Sequence, residues 1–447
     1  MIPRIRPFLE ISKITSKNIT KVSDGFYQRF EKEFCRKIGG KKCFALHQGR
    51  IALFIALKSL EIKKGDEVIV PSYICQSVIE SIVLAGGIPV FADSCKENFN
   101  ISPLSIKEKI TKKTKVIIAP HLFGVPCDIS EIAKIAKGNN LYLIEDCAQC
   151  FDVFYTKNKK VGSVGDISFF SFGFDKPFST GEGGMLVVNN LNLLESVKKT
   201  ISEYKKVPLQ QERALIDYLT IQYILTDKNN YKKPLSLNIG KYILAKNPEL
   251  GNMVKKLFIS ENKKRILKKI KNFLLALKIP ERGKECSYFK KTKSYCFPSF
   301  KDQLKKQEII MNSLRAFLGL EHLKEIDLIN RKRKENSEYF RKKLKNNKIF
   351  NFIKINKETK PVFLRYPLIV KDPYKIKRIS EICIKNGFEV VGWSAPAHLK
   401  YQKYLSQNDK KHLKNCLYLA KRLLFVPVHY YVKKKDLDRL AGILNSI

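Results

Sequence analysis

The chain has 447 residues, 44% of them hydrophobic, which is enough apolar sequence for a sizeable core and argues against disorder. No apolar stretch reaches the roughly 18 residues that a spanning helix needs, and the N-terminal residues lack an apolar export signal, so we expect a cytoplasmic protein. The 85 Lys and Arg and 42 Asp and Glu give a formal net charge of +43. This excess is concentrated beyond about residue 230.

In chain order, the sequence divides into three parts. Residues 1–40 resemble an N-terminal arm and a first helix, and from 41 to about 200 strand and helix patterns alternate, as in a mostly parallel α/β sheet. Residues 201–305 form a basic segment with apolar helical stretches. Residues 306–447 begin with a long helix pattern.

The most informative stretch begins at residue 143 and reads LIEDCAQC, followed some twenty residues later by SFFSFGFDKPFSTGEGG. Asp146 follows an apolar run typical of a buried strand, and Ser171 and Lys176 lie near the end of a second run. Ligands of open α/β sheets bind at such strand ends. There Asp146 would keep a pyridine nitrogen protonated, the Lys176 amine could form a Schiff base, and Ser171 could hold a phosphate. This pattern favours pyridoxal phosphate chemistry; the alternative is that Lys176 is one more solvated surface lysine.

Six motifs, in register from Phe44 to Asn190, resemble the large domain of the DegT/StrS family of pyridoxal phosphate-dependent sugar-nucleotide aminotransferases. They are ALHQGRIALFIALKSLEIKKGDEVIVPSY, AGGIPVFAD, VIIAPHLFGVPCDI, YLIEDCAQ, VGSVGDISFFSFGFDK and STGEGGMLVVNN. The resemblance implies an α/β, fold type I enzyme whose cofactor-binding domain, a large mostly parallel sheet, covers residues 1–200. It also implies that 201–305 are a basic helical insertion and that 306–447 hold a dimer-facing helix and a small C-terminal α+β domain.

The resemblance assigns a role to three residues around the cofactor ring. Lys176 would be the catalytic residue, bonded to pyridoxal 5′-phosphate and later moving a proton between the substrate and cofactor carbons. Asp146 would pair with the pyridinium nitrogen and keep the ring an electron sink. Gln149 would lie near the phenolic oxygen of the ring.

The phosphate group would be bound at a helix start. By the resemblance Ser171 contacts the phosphate, and the backbone N–H groups of Gly49 and Arg50 open a helix whose dipole favours an anion. Most of the family has Ser-Gly-Thr where this chain has Gln48-Gly49-Arg50, so a hydroxyl contact is lost and a guanidinium is gained. The alternative for Arg50 is a helix-start residue that faces solvent.

Two further departures concern the cofactor face and the partner subunit. Cys75 stands where many members place an aromatic ring over the cofactor, and Tyr73 is the nearest aromatic substitute. The family commonly carries a GYNYRM-like segment before the dimer-facing helix, whose asparagine reaches the neighbouring subunit's phosphate. Here the corresponding stretch is KKQEIIMNSLRAF, which lacks the GYNYRM-like segment and the asparagine within it.

Other polar residues have short motifs, and for most of them a role in the core or an interface is favoured over chemistry. Cys147 and Cys150 form a C-x-x-C without a second ligand pair, so we expect packing and no metal site. The residues near possible substrate or cofactor contacts are Arg365, Trp393, His398 and His429, with His121 as a candidate active-site wall.

The resemblance implies an aminotransferase that converts a nucleotide-linked keto sugar to an amino sugar for a surface glycan. The amino donor would be an amino acid such as glutamate, and the enzyme would be a homodimer. One alternative is a pyridoxal-dependent sugar dehydratase, but relatives that dehydrate typically replace the lysine that is present here as Lys176. Another is an inactive enzyme fold that binds a membrane or nucleic acid, which would explain the charge but not the set of Asp146, Ser171 and Lys176. We expect no nucleic acid partner.

The basic segment contains NMVKKLFISENKKRILKKIKNFLLALKI, in which apolar residues recur mostly at three- and four-residue steps among lysines. One interpretation is a helix packed on the protein with a solvated lysine face. The other is peripheral contact with the anionic inner face of a membrane, with Lys263, Lys264, Lys268 and Lys269 contributing to the attraction.

Overall fold

The computed structural model describes residues 1–8, 25–231, 249–250, 252–254, 263–276, 300–356, 358–392, 396–405 and 413–447. The strands of this part of the chain are β1 Lys42–Leu46, β2 Glu67–Pro71, β3 Ile88–Ala92, β4 Thr114–Pro120, β5 Tyr142–Asp146, β6 Ile167–Ser171, β7 Gly184–Val188, β8 Lys205–Lys206, β9 Glu308–Ile310, β10 Phe350–Asn351, β11 Tyr366–Val370 and β12 Leu423–Val426.

The α-helices of the same residues are α1 Gly25–Ile38, α2 Gly49–Ser59, α3 Gln76–Ala85, α4 Pro103–Lys109, α5 Ile129–Gly138, α6 Leu194–Ser202, α7 Leu209–Leu225, α8 Lys263–Ala276, α9 Phe300–Lys306, α10 Ser313–Lys343, α11 Ile376–Lys385, α12 Ala397–Lys400, α13 Lys414–Ala420 and α14 Lys434–Asn445. Short 3-10 turns cover Leu122–Gly124, Leu191–Leu193, Pro373–Lys375 and Gln402–Tyr404. None of the helices in these described ranges is both long and apolar enough to cross a bilayer.

A nine-stranded sheet forms the large unit, in the order β3-β2-β4-β5-β6-β7-β1-β9-β8. The five strands from β3 to β6 are parallel, and β7 runs antiparallel to both β6 and β1. Strands β4, β5 and β6 are almost continuously buried, as expected for parallel strands covered by helices on both faces. The expected fold class, with its large mostly parallel sheet, is confirmed.

Two apolar cores fill the faces of this sheet. One contains Phe30 and Phe34 of α1 together with Ile132 of α5. The other contains helix α2, whose residues are nearly all buried, and Ile79 of α3. The run IALFIAL, residues 51–57, is apolar on every side because α2 is packed between the sheet and α3. This placement brings the N-terminus of α2 to the end of β6.

The C-terminal residues form a small antiparallel sheet, β10-β11-β12, which shares a third core with α11 and α14. The 31-residue helix α10 joins the two units, since Leu320 lies in the first core and Phe340 in the third. The N-terminal arm also reaches the small unit, where the Ile2 N–H donates to the Gly387 carbonyl at 2.7 Å.

Helix α8 of the basic segment lies against the protein by its apolar side. Ile270 and Leu274 are buried in a fourth core with Leu219 of α7, whereas Lys268 and Lys269 are exposed. The apolar stripe predicted here is therefore occupied by intramolecular packing over the described part of the helix. The predicted stripe residues Leu257, Phe258 and Leu277 and the side chains of Lys263, Lys264 and Leu267 lie outside the described residues.

Candidate active site

Parallel strands β4, β5 and β6 end together, and polar residues follow each end. Asp146 closes β5, and its neighbour in the register of β6 is Phe169, two residues before Ser171. His121 follows β4, and its backbone N–H donates to the Asp146 carbonyl at 3.0 Å. The strand-end placement inferred from the apolar runs is thus present in the fold.

The carboxyl group of Asp146 faces a cavity of about 380 Å³ and is only 7% exposed. Burial raises the pKa of this carboxyl to about 6, although the Ala148 N–H, Lys176 and His121 act in the opposite direction. The Ala148 N–H donates to Oδ1 at 3.0 Å. A cationic N–H group bound in the cavity would stabilise the ionised form of Asp146, so the residue suits a pyridinium partner.

Lys176 lies in the turn that follows β6, with its backbone N–H donating to the Gly173 carbonyl at 3.0 Å. Its side chain is 18% exposed, and Nζ lies 3.4 Å from Oδ2 of Asp175. Arg365 is 3% exposed, and its Nη2 lies 3.9 Å from the same Asp175 oxygen. Burial acts to raise the pKa of Asp175, but the charges of Lys176 and Arg365 together hold it below the ordinary value. The candidate catalytic amine is therefore beside an ionised carboxylate.

An anion cradle is formed where helix α2 begins against the end of β6. Gln48 is the N-cap residue, and its side chain does not cap the first turn of the helix. A Cβ atom on Gly49 would lie 2.7 Å from Cβ of Ser171, so only glycine allows this approach. Gly49 and Arg50 at the helix start and Ser171 at the strand end line one cavity, a geometry suited to a phosphate.

The other predicted site residues line the same cavity in different ways. The guanidinium of Arg50 is 39% exposed and lies 3.9 Å from Glu80 of α3. Cys75 is the exposed N-cap residue of α3, and its sulfur lies 3.1 Å from Ser77 Oγ. Gln149 accepts a hydrogen bond from the Phe123 N–H at 3.0 Å. All seven predicted residues line the one cavity: Gly49, Arg50, Cys75, Asp146, Gln149, Ser171 and Lys176.

Tyr73 does not reach the cavity as the predicted aromatic substitute for a ring at position 75. It is buried in the third core, with ring contacts to Phe99 and Phe123. The aromatic side chains that line the cavity are instead Phe169, Phe174 and Tyr218.

A sequence model of the DegT/DnrJ/EryC1/StrS aminotransferase family matches residues 10–227 and 296–445, more than three quarters of the chain. The chain belongs to this family. The segment between the two matched parts, residues 228–295, includes helix α8. The boundaries of the three parts proposed from the sequence stay predictions.

Parts of the chain are also similar in sequence to individual curated proteins. The chain is 43% identical to GDP-perosamine synthase of Escherichia coli O157:H7 over 170 residues, 38% of this chain and 46% of that protein. It is 36% identical to dTDP-3-amino-3,6-dideoxy-alpha-D-galactopyranose transaminase of Aneurinibacillus thermoaerophilus over 231 residues, 49% of this chain and 62% of that protein. The matches thus span about half the length of these relatives.

The fold is also that of solved structures. Escherichia coli GDP-4-keto-6-deoxy-D-mannose-3-dehydratase, solved with bound hydrated pyridoxal phosphate, superposes with a TM-score of 0.69 over 99% of each chain. Sequence identity with it is 20%, so the likeness is one of fold.

The sequence patterns missed several residues of the cavity, among them two acids and a tyrosine. Asp175 and Glu182 flank the lysine turn, and Tyr218 comes from α7, in the segment expected to be an insertion. Glu182 lies inside the TGEGG run, to which the sequence patterns assign no polar role. The adjacency of Asp175 to Lys176 was the one usable signal for a carboxylate beside the amine.

The remaining candidates have structural contacts. His429 Nε2 donates to the Pro3 carbonyl at 2.9 Å, and burial lowers its pKa to about 3. His398 is 3% exposed, with its ring centroid 6.3 Å from that of Phe91. Arg365 reaches the site through Asp175, and Trp393 lies outside the described residues.

His121, Glu145 and Cys147 bring possible metal ligands within 4.8 Å of one another. The Cys127 N–H donates to His121 Nδ1, so Nε2 carries the proton and donates to Glu145 at 3.0 Å. Both oxygens of Glu145 also accept backbone N–H groups from the 162–165 turn. Neither imidazole nitrogen therefore has a free lone pair with which to bind a metal ion. The hydrogen bonds of the cluster instead fix the 162–165 turn to Glu145 of β5.

Proposed function

We propose that the protein is a pyridoxal 5′-phosphate-dependent aminotransferase that converts a nucleotide-linked keto sugar to an amino sugar, with glutamate as amino donor. One observation carries the proposal: Asp146, Lys176 and the anion cradle of Gly49 and Ser171 line a single cavity. Two relatives are named as acting on GDP- and dTDP-linked sugars, which supports the substrate class.

The cofactor, when bound, supplies an electron sink for the carbon that exchanges its amino group. Asp146 would hold the pyridine nitrogen in its protonated state through an ionised carboxylate. Ser171 and the N–H groups at the start of α2 would bind and orient the phosphate. Gln149, whose side-chain carbonyl oxygen accepts a hydrogen bond from the Phe123 N–H, lines the same cavity and would contact the ring.

Lys176 would bind the cofactor and move the proton at the reacting carbon. In the structure its Nζ is held by Asp175, whose charge is balanced by Arg365. A side chain held by one contact of 3.4 Å in a cavity can exchange that contact for another partner. The same nitrogen can then serve as nucleophile and as general base, as the two half-reactions of amino transfer require.

Transfer of labelled nitrogen tests the function directly. The protein is supplied with pyridoxal phosphate, nitrogen-labelled glutamate and a panel of GDP- and dTDP-linked keto-6-deoxy sugars, and the products are examined by mass spectrometry. We expect the label in one amino sugar, with formation of 2-oxoglutarate, and no product from Lys176→Ala. A product that has lost water and carries no label would instead show a dehydratase, the activity named for the structural neighbour.

We also propose a homodimer whose active sites are shared between subunits. The support is helix α10, whose sequence LRAFLGLEHLKEIDLI resembles the family's dimer-facing helix. Light scattering at micromolar concentration is expected to give the dimer mass. A fully active monomer would overturn the proposal of shared sites.

We also propose that the protein is a cytoplasmic enzyme of surface glycan or lipopolysaccharide synthesis. It would be in electrostatic contact with the anionic face of the membrane. The exposed Arg265, Lys268 and Lys269 of α8 support an electrostatic contact. Because Ile270 and Leu274 are packed inside the protein, these two residues provide no apolar anchor.

A further inference from the structure

A fully buried ion pair joins helices α7 and α10. Arg315 of α10 and Glu212 of α7 have no exposed surface. The Arg315 Nε donates to Glu212 at 2.6 Å, and a second N–H of the guanidinium donates to the other carboxylate oxygen. This bidentate pair fixes the plane of the guanidinium.

The same guanidinium fixes the imidazole of His47, the residue before the cradle. Arg315 Nη1 donates to the His47 carbonyl at 2.9 Å, and Nη2 lies 2.7 Å from His47 Nδ1. Because arginine has only donors, Nδ1 must be the acceptor, and the ring proton is therefore on Nε2. The Nε2 atom lies 4.0 Å from Oε2 of Glu182.

Glu182 connects these residues to the cradle itself. Its Oε2 accepts a hydrogen bond from Gln48 Nε2 at 2.8 Å, and both side chains line the cavity. Gln48 is the N-cap residue of α2, directly before Gly49. A Cβ on Gly184 would lie 2.6 Å from the Gln48 carbonyl, so the turn that carries Glu182 packs tightly on the cradle backbone.

We infer that Arg315 is a positioning residue for the anion cradle, acting through His47 and Glu182 to hold Gln48 and the first turn of α2. Arg315 does not line the cavity, so its effect on a ligand passes through these contacts. The group that would benefit is the phosphate of the cofactor, because Gln48 and the first turn of α2 form the anion cradle, whereas Asp146 closes β5 and Lys176 lies in the turn after β6. This inference rests on the proposed function.

The test compares pyridoxal 5′-phosphate with pyridoxal, which lacks the phosphate. Both are titrated into the full-length protein after removal of cofactor, and dissociation constants are taken from absorbance. In Arg315→Met we expect the affinity for pyridoxal phosphate to fall at least about fivefold, the size of one displaced hydrogen bond, with little change for pyridoxal. A merely structural role would weaken both ligands alike, and that result would overturn the inference.

Two controls keep the result decisive. Arg378→Gln on the exposed side of α11 should leave both dissociation constants unchanged. Should Arg315→Met fail to fold, the variants His47→Gln and His47→Leu test the same inference. Glutamine can accept a hydrogen bond from Arg315 and donate towards Glu182, so His47→Gln is expected to keep the preference for pyridoxal phosphate over pyridoxal. His47→Leu should lose this preference. Equal preference in both His47 variants would contradict the inference.

The same titration separates this inference from the proposed function. If the unmodified protein binds neither ligand, the proposed cofactor is wrong. If it prefers pyridoxal phosphate and the Arg315 and His47 variants keep the full preference, only the role of Arg315 is wrong.

Discussion

A Cβ atom added to Gly49 would lie 2.7 Å from Cβ of Ser171, and 3.1 Å from the carbonyl oxygen of Phe170. Helix α2 and strand β6 thus meet with no room for a methyl group. The contact brings the helix start and the Ser171 residue to a single anion cradle, so we expect the affinity for a phosphate to depend on this glycine.

The substitution Gly49→Ala should therefore force α2 away from β6. We expect the free energy of unfolding to fall by about 1–3 kcal/mol and the affinity for pyridoxal phosphate to fall with it. Urea unfolding and cofactor titration measure the two effects. Gly138→Ala is the matched control, since no atom lies within 4 Å of a Cβ at that position. If both variants behave alike, the close approach is not what shapes the cradle.

The ionisation of Asp146 predicts how the cofactor-free protein responds to pH. Burial raises the pKa of this carboxyl from 3.8 to about 6, so between these values the folded state holds a proton that the unfolded chain has released. The stability contributed by the protonated group is therefore present at low pH and is lost as pH rises.

Compared with Asp146→Asn, the cofactor-free protein should lose up to about 3 kcal/mol in free energy of unfolding between pH 4 and pH 6. Urea unfolding of both proteins across this range gives the difference. Bound pyridoxal phosphate should reduce the loss, because a pyridinium partner stabilises the ionised carboxylate. Parallel pH profiles for the two proteins would show that Asp146 has no raised pKa.

The exposed basic side of α8 predicts binding to anionic vesicles and not to neutral ones. Each basic residue near an anionic surface contributes about 1 kcal/mol, so replacing Lys268 and Lys269 by Gln should weaken cosedimentation at least about tenfold. Added salt should have the same effect, because no apolar anchor is expected from Ile270 and Leu274. Replacing Glu195, an exposed acid on α6, by Gln is the control. Equal binding to both vesicle types, or none to either, would leave α8 as packing alone.

Sequence reasoning predicts best where local pattern determines position. Asp146 and Ser171 could be located because apolar runs predict strands, and the ends of parallel strands lie at one edge of a sheet. Lys176 could be placed near them because it follows Ser171 closely along the chain. The family resemblance supplied Gly49, Arg50, Cys75 and Gln149, all of which line the cavity.

The residues that were missed depend on contacts between distant segments. Tyr218 and Glu212 come from α7, and Arg315 from α10, whose register against the sheet is set by packing that no local pattern reveals. Tyr73 fails as a substitute ring because it is drawn into the third core by Phe99 and Phe123. The sequence of α8 does not show whether its apolar residues pack on the protein or face a membrane. In the structure Ile270 and Leu274 pack in the fourth core.

The most direct test of the central claim is to find which residue bonds to the cofactor. The purified protein is incubated with pyridoxal 5′-phosphate, reduced with borohydride, digested, and mapped by peptide mass spectrometry. The geometry of the cavity predicts a yellow protein whose reduced cofactor is attached at Lys176, with no attachment in Lys176→Ala. Attachment at a different lysine, or an equal yield in the Lys176→Ala variant, would contradict the assignment of this cavity as the active site.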